Sequence, residues 1–122
     1  MKNELSLYIY KAKVTNIVDG DTIDVDMDMG CGIWQHGVRI RLSAIDASES
    51  RTLDLEEKER GLIAKEFLTS RILGEEVILK TELDEEEGFG RLLAWVHHRK
   101  DGYGTNVNRW MVNTGHAVYK EY

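Results

Sequence analysis

Proline is absent from the 122 residues, and cysteine occurs once, at Cys31. The first absence leaves the turns to the 11 glycines and to asparagine and aspartate, residues that accept left-handed backbone or hydrogen-bond their own chain. The second excludes an internal disulfide and removes any need for an oxidising compartment. Long apolar runs are missing as well. No stretch approaches the ~20 apolar residues of a membrane span. The opening Met1-Lys2-Asn3-Glu4-Leu5-Ser6-Leu7-Tyr8 lacks the apolar run of a signal peptide. Together with the starting Met1, these features give the expectation of an intracellular, cytoplasmic chain with no membrane partner. Positive charge is in deficit: Lys+Arg number 16 against 22 Asp+Glu, for a net charge of -6 and a pI of about 5.2. That balance argues against loose binding to nucleic acid through a broad basic surface. It still allows an enzyme that meets a polyanion locally, with a bound cation and a few arginines.

What is present suits one globular unit. The hydrophobic fraction of 42% supports a core, and neither a repeat nor a low-complexity linker divides the chain. A single domain over residues 1–122, monomeric, is expected. Tyr8 to Val18 is rich in β-branched and aromatic residues and predicts a first strand. Asp19-Gly20-Asp21 is a turn signal. Ile23, Val25, Met27 and Met29 then alternate with Thr22, Asp24, Asp26 and Asp28, the pattern of a half-buried strand. Gly30 to Gly37 is expected to be a loop. Val38, Ile40, Leu42 and Ala44 make the inward face of a third strand. The period changes over Leu55 to Ile72, where Leu55, Leu62, Ile63, Glu66, Phe67 and Ile72 fall mostly at helical spacing. Gly61 inside this helix marks close packing, and Gly74 ends it. Val77-Ile78-Leu79 begins a fourth strand and Leu92 to His98 forms a fifth. Asn108 to Asn113 is a short helix closed by Gly115, and Ala117 to Tyr119 returns to the sheet. Three strands, a helix, two strands and a short helix define an α+β, mainly β chain: a five-stranded Greek-key barrel of the OB-fold kind, with one long and one short helix.

Two segments concentrate the chemistry. Val18-Asp19-Gly20-Asp21-Thr22-Ile23 and Arg39-Ile40-Arg41-Leu42-Ser43-Ala44-Ile45-Asp46-Ala47-Ser48-Glu49 each place carboxylates at the end of a strand. Acids hold a hard divalent cation, and arginine holds a phosphate through a planar fork. Phe89-Gly90-Arg91 adds a second arginine after a glycine turn. Strand alternation puts Asp21 and Asp46 on the core side, where a carboxylate is costly unless a cation or donors meet it. The same alternation puts Arg41 on the opposite face beside Arg39, unless a strongly curved strand relaxes the rule. Singly, each residue has a plainer explanation. Asp21 and Asp46 are turn aspartates, Glu49 is a solvated loop acid, and Arg91 is a surface arginine at a strand edge. Jointly, the inventory suits a metal-assisted phosphodiesterase.

The joint pattern resembles the staphylococcal nuclease family over roughly Tyr8 to Tyr119. The resemblance rests on Val18-Asp19-Gly20-Asp21-Thr22, Arg41-Leu42 with Ile45-Asp46 and Glu49, Gly90-Arg91, Val107-Asn108, and Gly115-His116-Ala117, in that order. It implies a calcium-dependent nuclease that cuts DNA and RNA to 3′-phosphate ends. By resemblance, Asp21 and Asp46 are calcium ligands, and Ala47 adds its backbone carbonyl. Glu49 orients or deprotonates the attacking water. Arg41 and Arg91 clamp the phosphate, and Asp19 is an acid just behind the metal. All five of the family's chemical side chains are present. The departures are Ser48, where the family usually has proline, and Phe89, where it often has tyrosine. The acidic run Asp84-Glu85-Glu86-Glu87 beside Gly90-Arg91 is expected to weaken substrate affinity, and the chain stops at Tyr122 without the further helix of longer members.

Other constellations fail. Asp24-Val25-Asp26-Met27-Asp28 mimics the start of an EF-hand loop, but Met29 takes the place of the required glycine and Gln35 that of the closing glutamate. His97 and His98 are adjacent and point apart on a strand. Cys31 and His36 lack partners at zinc spacing. His116 is expected to pack or cap. Trp34, Trp95 and Trp110 are expected to anchor core or loops. The competing function is a catalytically silent OB-fold module that binds single strands or protein. The acidic pI and the scarcity of interleaved aromatic and basic residues oppose the nucleic-acid form of it.

Overall fold

The computed structural model describes residues 7–83, 92–98 and 105–120. Gly90, Arg91, Phe89, the acidic run 84–87 and Tyr122 lie outside the described residues. Strands β1 (Ile9–Asp19), β2 (Thr22–Gly30) and β3 (Ile33–Leu42) form an antiparallel meander. The two-residue strand β4 (Ile45–Asp46) follows, then helix α1 (Leu55–Ile72), β5 (Glu76–Leu83) and β6 (Leu92–His98). A two-residue β7 (Thr105–Asn106), helix α2 (Val107–Asn113) and a two-residue β8 (Val118–Tyr119) complete the order. β5 pairs with β1 and β6, and β6 closes the sheet by running parallel to β3, Ile40 opposite Leu92 and Leu42 opposite Ala94. The cyclic order β1-β2-β3-β6-β5 is a closed, mixed five-stranded barrel with two helices, consistent with the expected OB-fold.

The barrel is filled by alternate strand residues, among them Val14, Ile23, Val25, Ile40, Leu79 and Val96, all fully buried. β-Branched side chains suit this pleated, two-sided packing. Helix α1 matches its expected limits to the residue. Asp54 sets its start, accepting from the backbone N–H groups of Glu56 and Glu57 at 3.0 and 3.2 Å. Gly74, at φ 78, stops it in the left-handed conformation.

Three expectations need correction. The segment Gly30 to Gly37 is not a loop. Gly30 pairs with Ile33, so Cys31-Gly32 is a two-residue hairpin turn with both φ values positive, 57 and 76. Ile33 to Gly37 then runs as strand with every residue exposed, so it lacks the inward alternation that marks a strand in sequence. Secondly, three of the large apolar residues expected to face inward from α1 do not. Leu55, Leu62 and Ile63 are exposed, and the buried stripe is Gly61, Ala64, Leu68 and Ile72. Thirdly, Ala44 lies outside β3 with φ 66. This left-handed residue breaks the alternation between Leu42 and Asp46.

The aspartates of β2 serve the sheet. Asp24 accepts from Arg39 Nε at 2.9 Å and from Asn16 Nδ2 at 3.3 Å. Asp26 accepts from Gly37 N–H at 3.0 Å, and His36 Nδ1 lies 3.2 Å from its carboxylate. Arg39 first, and Asn16 after it, holds the Asp24 carboxyl below its ordinary value; for Asp26 the Gly37 N–H leads, with His36 second. A lowered folded value stabilises above the unfolded value of about 3.9, and the stabilisation is lost as pH falls through the folded value. Acid unfolding of Asp24→Asn is therefore expected to be flatter than wild type below about pH 4, read by circular dichroism. Identical acid limbs would remove Asp24 from the account.

Candidate active site

The site forms where three strand ends meet. Asp19 pairs with Thr22 across the first hairpin, leaving Gly20-Asp21 at its tip. The tip is fastened to the end of β3, since Leu42 N–H donates to the Asp21 carbonyl at 2.8 Å. It also sits tightly between α1 and the chain leaving β4: a Cβ on Gly20 would lie 2.8 Å from Ala64 Cβ and 3.1 Å from Ala47 Cβ. β4 continues from the Ala44 corner and is held by β8, with Ile45 opposite Tyr119 and Asp46 opposite Val118.

These elements bring Asp21, Arg41 and Asp46 together. Asp21 is 5% exposed. Its Oδ1 accepts from the Thr22 hydroxyl and its Oδ2 from the Ala47 N–H, each at 2.9 Å. Arg41 keeps the face that alternation assigns it, beside Arg39 and opposite the buried Ile40 and Leu42, and from there it still reaches both acids. Its Nη2 lies 3.2 Å from Asp46 Oδ1, 3.3 Å from the Ile45 carbonyl and 3.6 Å from Asp21 Oδ2. Asp46 is not on the core side. Its side chain is 55% exposed, because the left-handed Ala44 turns the chain before it.

A pocket of about 170 Å³ opens over this cluster, lined among others by Asp19, Asp21, Arg41, Asp46, Glu49 and Arg51. Glu49 is exposed and holds no hydrogen bond or ion pair among the described residues. Arg51 is exposed and equally unengaged among the described residues. Sequence reasoning missed it, because nothing in a lone loop arginine signals that its loop folds back over the site. Arg39, also on the pocket wall, is committed to Asp24. Asp19 accepts from both the N–H and the hydroxyl of Ser50, at 3.1 and 2.5 Å, so it ties the first hairpin to the loop carrying Glu49.

The donor set fits a hard divalent cation. Every candidate ligand is oxygen, two of them carboxylates. The buried Asp21 carboxylate takes two hydrogen bonds from neutral donors, and its nearest cationic group stands at 3.6 Å, beyond hydrogen-bond reach. A nearly buried negative charge so placed is stabilised by a further cation. Among the described residues no three His, Cys, Asp or Glu side chains converge as a metal cluster, so any cation here would rest on this pair plus carbonyl, water or phosphate oxygen. The residues set aside earlier are engaged elsewhere. His98 Nε2 lies 3.3 Å from Glu75, and His116 packs its ring 4.1 Å from that of Phe67, which stacks on Trp110.

The fold and site together define an OB-type barrel with acids and an arginine gathered at the first hairpin and the end of β3. Comparison with known families narrows it. The family described as staphylococcal nuclease homologue matches residues 39–122, and the chain belongs to that family. An uncharacterized protein of Bacillus anthracis is 32% identical over 109 residues, which cover 88% of this chain and 46% of that protein. The chain thus spans about half the length of the curated relative it matches. Among the described residues no helix is long and apolar enough to cross a membrane.

Proposed function

We propose that this chain is a calcium-dependent nuclease that hydrolyses DNA, and RNA as a second substrate, to 3′-phosphate ends. The observation that carries this reading is that Asp21 and Asp46 both come within 3.6 Å of a single guanidinium nitrogen of Arg41, beneath a pocket that Glu49 also lines. Asp21, Asp46 and the Ala47 carbonyl would hold calcium, which polarises the phosphate and offsets its charge. Glu49 orients a water for attack on phosphorus and accepts its proton; glutamate is a modest base, so aim matters more than proton affinity. The bond from phosphorus to the 5′ oxygen breaks, and that oxygen leaves as a hydroxyl with a proton taken from solvent water. Arg41 grips two phosphate oxygens as charge develops on them, with Arg91 as its partner. Arg51, unengaged on the pocket wall, suits a neighbouring phosphate. The unit acts as a single domain on a nucleic-acid substrate.

The test is cleavage of a labelled single-stranded DNA at low salt and mildly alkaline pH, with calcium or with EGTA. Cleavage is expected with calcium and is expected to stop on chelation. Cleavage that persists in EGTA removes the metal from the mechanism. Calcium binding without cleavage transfers the chain to the silent binding-module class.

A further inference from the structure

The loop carrying Glu49 has an unusual seat. It lies directly on α1 at the one position of that helix without a side chain. A Cβ on Gly61 would fall 2.3 Å from the Glu49 carbonyl oxygen, 2.4 Å from its carbon and 2.6 Å from Ser50 N. Those neighbours are backbone, so nothing flexible can move aside. On its other flank the same peptide is held by Asp19, which takes both donors of Ser50 on one carboxylate oxygen. Ser50 is 4% exposed although Glu49 before it and Arg51 after it are exposed. The Glu49–Ser50 peptide is therefore gripped from two sides while the Glu49 side chain stays free over the pocket.

We propose that Gly61 and Asp19 are positioning residues for Glu49: together they clamp the Glu49–Ser50 peptide and so aim the carboxylate that handles the attacking water. The proposal rests on the nuclease reading of Glu49. The clamp stands where a proline before the glutamate would stiffen the loop, and Ser48 cannot do so. One helix face serves both halves of the site. Gly61 receives the Glu49 loop and Ala64, one turn on, receives the Gly20 hairpin tip. A shift of either segment alters the distance between the cation ligands and the water-handling acid, and misplacement by about 1 Å costs about 10²-fold in rate.

The experiment measures kcat and KM for DNA cleavage in Gly61→Ala and Ser50→Ala, each made alone and in a Glu49→Gln background, with Tm as a folding control. Alanine is the better helix former by about 1 kcal/mol, so Gly61→Ala is not expected to unfold through the helix itself. Ser50→Ala adds no atom and removes one of two donors, so it decides the matter if Gly61→Ala fails to fold. The expected result is a fall in kcat of about 30-fold or more for Gly61→Ala and about 5-fold for Ser50→Ala, scaled from that cost of misplacement. KM is expected to stay within about threefold, and both effects are expected to vanish in the Glu49→Gln background, as for residues acting through one group. Unchanged kcat, or an equal loss in both backgrounds, overturns the proposal. A wild-type chain that does not cleave with calcium overturns the nuclease reading instead. Hydrogen exchange at the Ser50 amide then decides the clamp: exchange faster by tenfold or more in Gly61→Ala and Asp19→Asn supports it, and unchanged exchange overturns it.

Discussion

Arg41→Ala is expected to lower the rate of DNA cleavage by roughly 10²–10³-fold, the usual cost of removing one donor aimed at developing charge. The Arg41 side chain is 13% exposed, and its guanidinium reaches the Asp46 carboxylate, the Ile45 carbonyl and the vicinity of Asp21. Its position is thus fixed before substrate arrives, and little reorganisation is left for the transition state. Folding is expected to suffer far less. Asp46 can be solvated, and Asp21 keeps its Thr22 and Ala47 donors, so a loss of about 1–2 kcal/mol is expected. Arg41→Lys retains the charge but not the fork that grips two oxygens, so it is expected to restore less than a tenth of the lost activity. Calcium affinity separates the roles further. Arg41 competes for the same two carboxylates that would hold the ion, so Arg41→Ala is expected to bind calcium as tightly as wild type or tighter, by titration calorimetry. Activity within threefold of wild type would sink the role of Arg41. Weakened calcium binding would mean that the guanidinium organises the acids rather than competing with a cation.

The same residue shows what sequence can and cannot reveal. Alternation correctly placed Asp21 against the core, because β2 runs straight from Thr22 into the barrel. It also placed Arg41 beside Arg39 on the outer face, but it failed for Asp46, because a single left-handed residue, Ala44, resets the phase after β3, and alanine carries no sequence signal for that conformation. Helix α1 and strand β6 were legible to the residue, since period, cap and stop all agree there. The buried face of α1 was not. Half of it is Gly61 and Ala64, which hydrophobic patterning undervalues, and they are buried by what sits on them rather than by their own size; the other half is Leu68 and Ile72. Gly61 did signal close packing, and the backbone against it supplies the reason. The tie from Asp19 to Ser50 spans 31 positions, so only the closed barrel brings its ends together. Val107-Asn108 was legible only as part of the family pattern, without its physical cause.

That cause predicts the largest effect on stability. Asn108 is fully buried in the first turn of α2. Its Oδ1 accepts from Val96 N–H at 3.0 Å, and its Nδ2 donates to the carbonyls of Ser43 and Ala94 at 2.9 and 3.0 Å. β6 pairs with β3 only as far as Ala94, and beyond that point the Asn108 side chain stands in for the missing strand. Asn108→Ala leaves Val96 N–H and the Ser43 carbonyl without these buried bonds, while the Ala94 carbonyl keeps the Ser43 N–H. At about 1–3 kcal/mol for each buried group left unpaired, the expected loss is about 3–5 kcal/mol. For a chain of this size that is a fall in Tm of roughly 10–20 °C, measurable by calorimetry. Asn108→Asp keeps the acceptor for Val96 but turns a carboxylate toward two carbonyls. It is expected to be at least as unstable at neutral pH and to recover in part at acid pH, where protonation supplies one donor. Activity is expected to fall with stability, because the Ser43 carbonyl immediately precedes the Ala44 corner that delivers Asp46. A fall in Tm of less than about 3 °C for Asn108→Ala would mean that water replaces the amide without penalty, and that the corner is held by the β4–β8 pairing alone.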